Sequence, residues 1–230
     1  MNSLTPLHVG PSHLRTLGPV SLAQGVYGAR GNLELLACDA HDGLWVFWCN
    51  ADLPTDPPAD GDVGPGQWSD GLHFAAGDRY TRAQIVQSVL GPDHLEVLAL
   101  TAQGILQSWY WSPEHGFLRR PTDAADSVRT FALAHEHGVL RVTTETSSGE
   151  LRHFRSEAAG YPERSWADAS EGPGLDDDAL AALVAAGVAA DDVEAGTARA
   201  ARSTRGGGTL ELTWRDAATG GIRHVAASLE

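Results

Sequence analysis

Four stretches of the chain share one arrangement of apolar and polar positions: "GNLELLACDAHDGLWVFW" (31–48), "DHLEVLALTAQGILQSWYW" (93–111), "GVLRVTTETSSGELRHFR" (138–155) and "GTLELTWRDAATGGIRHV" (208–225). Each opens a strand-like run as L-x-(L/V), passes a polar turn containing Gly, and resumes at Leu or Ile, which predicts an antiparallel hairpin. The anchors Leu33, Leu95, Leu140 and Leu210 are unevenly spaced, so insertions fall between hairpins and not inside them. Ahead of each anchor stands another strand-like segment: "VSLAQ" (20–24), "AQIVQS" (83–88), "RTFALA" (129–134) and "TARAAR" (197–202). Behind the first three come "QWSDGLHF" (67–74), "HGFLRR" (115–120) and the weaker "ERSWAD" (163–168).

Three or four short strands per unit, repeated about four times, predict an all-β fold: a small β-propeller of about four blades. "LEVLAL" and "LWVFW" are nearly continuously apolar, as expected of strands covered on both faces by neighbouring blades. The fourth unit stops after its third strand, and "SLTPLHV" (3–9) is expected to supply the missing outer one, joining N- and C-terminal strands in one blade. Residues 1–230 are read as one propeller domain, a length that all-β domains reach. One segment breaks the pattern. "LDDDALAALVAAGVAADD" (175–192) places Asp176, Asp177 and Asp178 in a first turn and repeats apolar residues at Leu180, Leu183, Val184 and Val188. This predicts an inserted helix of about three to four turns, over about 175–190, in the place of unit three's outer strand and covering that blade; a partner contact is the alternative.

Composition narrows the partners. Sixteen Arg, no Lys and 30 acidic residues give a formal net charge of −14. That surface repels phosphate backbones and anionic lipid, which disfavours nucleic acid and membrane as partners and favours neutral or cationic ones. No basic segment leads into a long apolar one, and no run approaches the ~18 apolar residues of a membrane span, so a cytoplasmic location is expected. Cys38 and Cys49 share a hairpin whose turn lies near Ala40-His41. Folding there sets Cys38 opposite about Leu44 and Cys49 opposite about Leu33, which predicts free, mostly buried thiols.

Aligned on Leu44, Leu106, Leu151 and Ile222, the second strands of the hairpins carry Val46, Ser108, His153 and His224 two residues on, and Trp48, Tyr110, Arg155 and Ala226 four residues on. A Gly-x-Leu-x-His-x-Trp pattern after L-E-(V/L) resembles the repeats of the bacterial fucose-binding propeller lectins and the related tectonin-type propellers. The Trp is kept in unit one and the His in units three and four, over roughly residues 18–170 and 197–230. The resemblance implies a propeller and sugar binding. Those lectins have more blades than 230 residues hold at ~40–50 per blade, which implies a four-bladed ring or assembly with another copy of the chain.

Aromatic faces are what proteins lay against sugar rings. Trp45, Trp48, Trp109 and Trp111 recur at one strand of the repeat, as packing residues do; Trp111, at a strand end, is the best placed for display. "LRHF" (151–154) and "IRHV" (222–225) set Arg152 and Arg223 on the opposite strand face from His153 and His224. The imidazoles suit hydrogen bonding, acid–base work or satisfaction of a local carboxylate; Arg152, Arg155 and Arg223 suit an anionic ligand or the many surface carboxylates. "HEH" (135–137) has two potential metal ligands without a third, and the Asp-rich loop 50–62 lacks calcium-loop spacing, so no metal is expected. No nucleophile elbow, zinc-protease, Walker or dinucleotide motif is present, and no cofactor is implied.

These observations point to a lectin-like propeller binding a carbohydrate or polyhydroxylated compound through Trp48, Tyr110, Trp111, Arg152, His153, Arg155, Arg223 and His224. Two alternatives stand beside it. One is an enzyme of secondary metabolism, cyclase or lyase in type, with His153 or His224 as acid–base; the other is a protein-interaction scaffold.

Overall fold

The computed structural model describes residues 5–56, 63–91, 94–157, 162–175, 178–203 and 208–228. Among these described residues sixteen strands form four four-stranded antiparallel sheets. The first blade is β2 (Thr16–Gln24), β3 (Asn32–Asp39), β4 (Leu44–Asn50) and β5 (Leu72–Phe74), in that order from the centre outward. The second is β6 (Tyr80–Gln87), β7 (Leu95–Thr101), β8 (Leu106–Ser112) and β9 (Gly116–Arg119). The third is β10 (Val128–Glu136), β11 (Val139–Thr146), β12 (Leu151–Glu157) and the two-residue β13 (Ala167–Asp168). The fourth is β14 (Arg199–Ser203), β15 (Thr209–Arg215) and β16 (Ile222–Ser228), closed on its outside by β1 (Leu7–Val9). Leu7 pairs with His224 and Val9 with Ile222, so the expected joining of both chain ends in one blade is observed.

Alternation along each central strand sends its apolar residues to two different neighbours. In β7, Leu95, Val97 and Ala99 pack toward the first blade and Leu98 and Leu100 toward the third. In β3, Leu36 and Cys38 pack toward the second blade while Leu35 and Ala37 pack toward the fourth. No single sheet hides both its faces; wedging between blades does, which is why these runs lack a polar face. The four inner strands meet at a central channel of about 230 Å³, to which β2 contributes Val20 to Ala23, β6 Arg82 to Val86, β10 Leu133 and β14 Arg199. Side chains satisfy part of the inner strand edges: Ser21 Oγ accepts from Ile85 N at 3.1 Å, and Gln84 Oε1 accepts from Leu133 N at 2.8 Å.

The seam between fourth and first blades is fastened by Arg215, whose guanidinium donates to the carbonyls of Thr16 (2.5 Å) and Gly18. Gly18 has φ +62°, and a Cβ there would stand 2.3 Å from the Thr81 carbonyl oxygen, so close approach of β2 to β6 needs a glycine. The hairpin register follows the turn near His41: Cys38 pairs with Leu44 and Cys49 with Leu33. Both thiols are free and buried, and burial pushes Cys38 up to about 12.

The inserted helix differs from expectation in length and place. It is α1 (Leu180–Ala185), under two turns, stopped at Gly187 with φ +91°; a short 3₁₀ turn (Ala190–Asp192) follows. Asp176 and Asp177 lie outside the described residues. Unit three has its own outer strand in β13, and α1 instead packs fully buried Leu183 against Leu212, Trp214 and Val225 of the fourth blade. The apolar period runs on to Val188, but Gly187 in the left-handed region ends the helix before it. Among the described residues no helix is long and apolar enough to cross a membrane.

Candidate functional site

Strand register gives each blade one cross-strand row, running from the channel outward, on its face toward the next blade. The rows are Ala23–Glu34–Trp48, Val86–Glu96–Tyr110, Ala134–Arg141–Arg155 and Ala201–Glu211–Ala226. The middle position follows each anchor leucine of the repeat, and three of the four units place a buried glutamate there. A carboxylate withdrawn from water must be paired, hydrogen-bonded or neutralised. The three glutamates meet that demand in three ways.

Glu96 is enclosed by two arginines of its own chain. Arg164 donates to Oε1 through Nε (3.0 Å) and Nη2 (2.9 Å), and Arg120 approaches Oε2 at 2.8 Å. Arg120 also stacks over the Tyr110 ring at 4.9 Å and donates to Ser108 Oγ and the Pro162 carbonyl; Arg164 reaches the Ser156 carbonyl. Glu211 meets His224 Nε2 at 2.8 Å and accepts from Thr209, and the His224 ring stands edge-on to Trp68 of the first blade at 5.3 Å. Both grooves are filled from within.

Glu34 has neither arginine nor histidine against it among the described residues. It is 8% exposed, and its hydrogen-bond partner is the Asn32 side-chain amide. Burial pushes it up to about 8, partly offset by that bond, so at neutral pH it is a carboxylic acid with one O–H to donate as well as an oxygen that accepts from Asn32. On its own sheet the neighbour is half-buried Trp48. Across the groove the second blade presents the row Gln87–Leu95–Trp111, whose half-buried Trp111 packs on the inter-blade core. Ala23 and Gln87 both line the channel mouth, so the two rows start at the same axial level. The groove between first and second blades therefore holds two indoles and a neutral, buried carboxyl.

The other sequence-derived candidates are dispersed. Tyr110 lies beneath Arg120 in the second groove. Exposed Arg152 pairs with Glu150, whose carboxylate it holds low through a hydrogen bond, and His153 Nδ1 is 3.0 Å from Thr143 Oγ1. Arg155 is exposed beside Arg141. Arg223 reaches Asp216 at 3.3 Å, and buried His224 is engaged by Glu211. Trp48 and Trp111 are thus the pair that the fold brings to one groove. Glu34 was not among the candidates, although its signal was in the repeated L-E-(V/L): a charged residue recurring directly after an anchor leucine.

Among the described residues no group of three His, Cys, Asp or Glu is placed to hold a metal. In the Asp-rich loop, Asp52 accepts from Arg30 N (2.8 Å) and Asp56 takes the Arg30 guanidinium; Asp60 and Asp62 lie outside the described residues. A second hollow on the rim of the first blade, about 300 Å³, is lined by Trp48, Gln67, Trp68, Ser69 and Asp70 among others.

No family model matches the chain, and no curated protein matches it. Among solved structures it is similar to AofleA from Arthrobotrys oligospora, at 14% identity and TM-score 0.45 over 99% of this chain and 62% of that one. The BP39L lectin from Burkholderia pseudomallei matches at 15% identity and TM-score 0.45, over 92% of this chain and 56% of that one. A variant of the Aleuria aurantia lectin in complex with α-methyl-L-fucoside matches at 11% identity and TM-score 0.46, over 96% and 63%. The chain thus spans less than two thirds of the length of these proteins.

Proposed function

We propose that this chain is a propeller domain that binds a carbohydrate, or a similarly polyhydroxylated neutral compound, in the groove between its first and second blades. The observation that carries the reading is Glu34: at the repeat position where Glu96 is engaged by Arg120 and Arg164 and Glu211 by His224, it is buried beside Trp48, on the blade face opposite Trp111, with no arginine or histidine against it among the described residues. A protonated carboxyl offers one donor and one acceptor, which match the vicinal hydroxyls of a sugar, while Trp48 and Trp111 offer faces to its C–H edges. A neutral ligand also suits a chain of net charge −14, which disfavours nucleic acid and anionic membrane. Of the sequence-derived candidates, the reading keeps Trp48 and Trp111 in contact with ligand. Tyr110 and His224 belong to the filled grooves, and Arg152, His153, Arg155 and Arg223 to the blade surfaces.

The test is a glycan array followed by titration of the best ligand against the protein and Trp111→Ala. Binding with millimolar affinity or better that Trp111→Ala weakens at least tenfold supports the reading. Binding unaffected by Trp111→Ala and by Trp48→Ala moves the site elsewhere and overturns it, as does an array with no ligand at all.

A further inference from the structure

The repeat position of Glu34 is answered by a basic side chain in the other units that hold an acid there. Arg120 and Arg164 engage Glu96, and His224 engages Glu211. The third unit has Arg141 at the same place and no acid to answer. In the first unit the Asn32 amide donates to Glu34 Oε1, while Oε2 makes no hydrogen bond among the described residues and keeps contact with solvent. Glu34 is 8% exposed, so that contact is narrow and suits a small group.

The surroundings decide which charge that group carries. Glu34 has Ala23, Asn32 and Trp48 beside it on its own blade and the row Gln87, Leu95 and Trp111 across the groove, none of them charged. The β2–β3 loop brings Tyr27, whose N–H meets Asn32 Oδ1 at 3.3 Å, and Arg30, whose guanidinium is held by Asp56. Half-buried Trp48 also lines the rim hollow of about 300 Å³, and exposed Asp70 stands in the same wall. An indole next to a carboxyl, a second acid at the approach and a net charge of −14 all favour an ammonium ion, through cation–π contact, charge-assisted hydrogen bonding and the long-range field. Burial keeps the carboxyl protonated in the empty groove, but an opposite charge beside it favours the ionised form.

We propose that the preferred occupant of the first groove is a carbohydrate bearing a primary ammonium, whose N–H donates to Glu34 Oε2 and whose charge stands beside the Trp48 indole, in the role that Arg164 and His224 fill in the other grooves. The proposal rests on the groove reading above and narrows its ligand class to amine-bearing sugars. A neutral sugar meets the carboxyl in its protonated form, as one donor and one acceptor. An ammonium meets it as the carboxylate: the Glu34 O–H bond breaks, its proton passes to solvent, and the ligand nitrogen keeps all of its own protons. Binding of the amine therefore releases one proton, and binding of the neutral sugar releases none.

The experiment titrates the full chain with methyl β-D-glucopyranoside and with its 6-amino-6-deoxy analogue, whose alkylamine stays protonated through pH 8 as that of lysine does. Calorimetry at pH 7 in two buffers of different ionisation enthalpy is expected to count close to one proton released per amine bound and none per neutral sugar. The affinity ratio in favour of the amine is expected to rise about tenfold per pH unit between pH 6 and 8, reaching about tenfold or more at pH 8. In Glu34→Gln the ratio falls to near one and no longer depends on pH. Parent and variant share the rest of the acidic surface, so an amine preference that survives Glu34→Gln is general attraction and overturns the proposal; the proton count needs no variant. Equal binding of the two sugars without proton release also overturns it, and leaves the groove reading standing where Trp111→Ala weakens both. Binding of neither probe overturns it as well, and the glycan array then decides whether the groove reading falls with it.

Discussion

The first and second inter-blade grooves are built on the same repeat position and treat it in opposite ways. In both, a glutamate one residue past the anchor leucine faces the next blade beside an aromatic: Glu34 with Trp48, Glu96 with Tyr110. In the second groove Arg120 follows β9, Arg164 precedes β13, and both turn inward to enclose the carboxylate at 1% exposure or less. In the first groove β5 is followed by Ala75, and Glu34 is left to Asn32 and to its own proton. The lesson is that a repeat fixes where a side chain points, while the insertions between repeats decide whether that place is filled or open.

Replacing partners on the two sides should therefore give effects of different size and sign. The largest is expected from Glu96→Gln, which strands two buried guanidinium groups; breaking a buried pair in this way costs about 3–5 kcal/mol, read from urea or thermal unfolding. Arg120→Ala should cost less, about 1–3 kcal/mol, because Arg164 still holds Glu96 through two N–H groups. A loss for Arg120→Ala as large as for Glu96→Gln would mean that the three groups act as one unit.

Glu34→Gln should act in the other direction. The folded-state pKa is raised to about 8, so between about pH 4.5 and 8 the folded chain binds a proton that the unfolded chain has released, and stability falls as pH rises through that window. The amide needs no proton, so the variant should lose this slope and exceed the parent by about 4 kcal/mol at pH 8, with little difference at pH 4. Parallel stability–pH curves would contradict the neutral carboxyl. The smallest effect is expected from Trp48→Ala, which is half-buried: a change of under ~1 kcal/mol in stability, with a tenfold loss in glycan affinity. A large stability loss with unchanged affinity would return Trp48 to packing.

How far the sequence revealed this arrangement depends on the range of the contacts involved. The Cys38–Leu44 and Leu33–Cys49 pairings follow from one turn a few residues away, and the four hairpins from local alternation. The closing of the fourth blade by Leu7–Val9 was legible because a missing outer strand leaves an exposed edge. Glu34 was not, because a charged residue in a strand reads as solvent-facing until the neighbouring blade is known to cover it. Nor do spacing rules foresee that Arg164 reaches back to Glu96 across the second groove while, among the described residues, nothing comparable reaches Glu34. His135 shows the same limit: beside His137 in sequence it is one of two potential metal ligands without a third, whereas in space its partner is the Gln87 carbonyl of another blade.

The most direct measurement is the pH titration of the Glu34 carboxyl ¹³C resonance, assigned by its loss in Glu34→Gln. A midpoint near 8 is expected for a carboxyl buried without a cation, and an added glycan should displace it. A midpoint near the ordinary 4.5, insensitive to glycan, would show a hydrated carboxylate and contradict the buried, uncompensated carboxyl on which the functional reading stands.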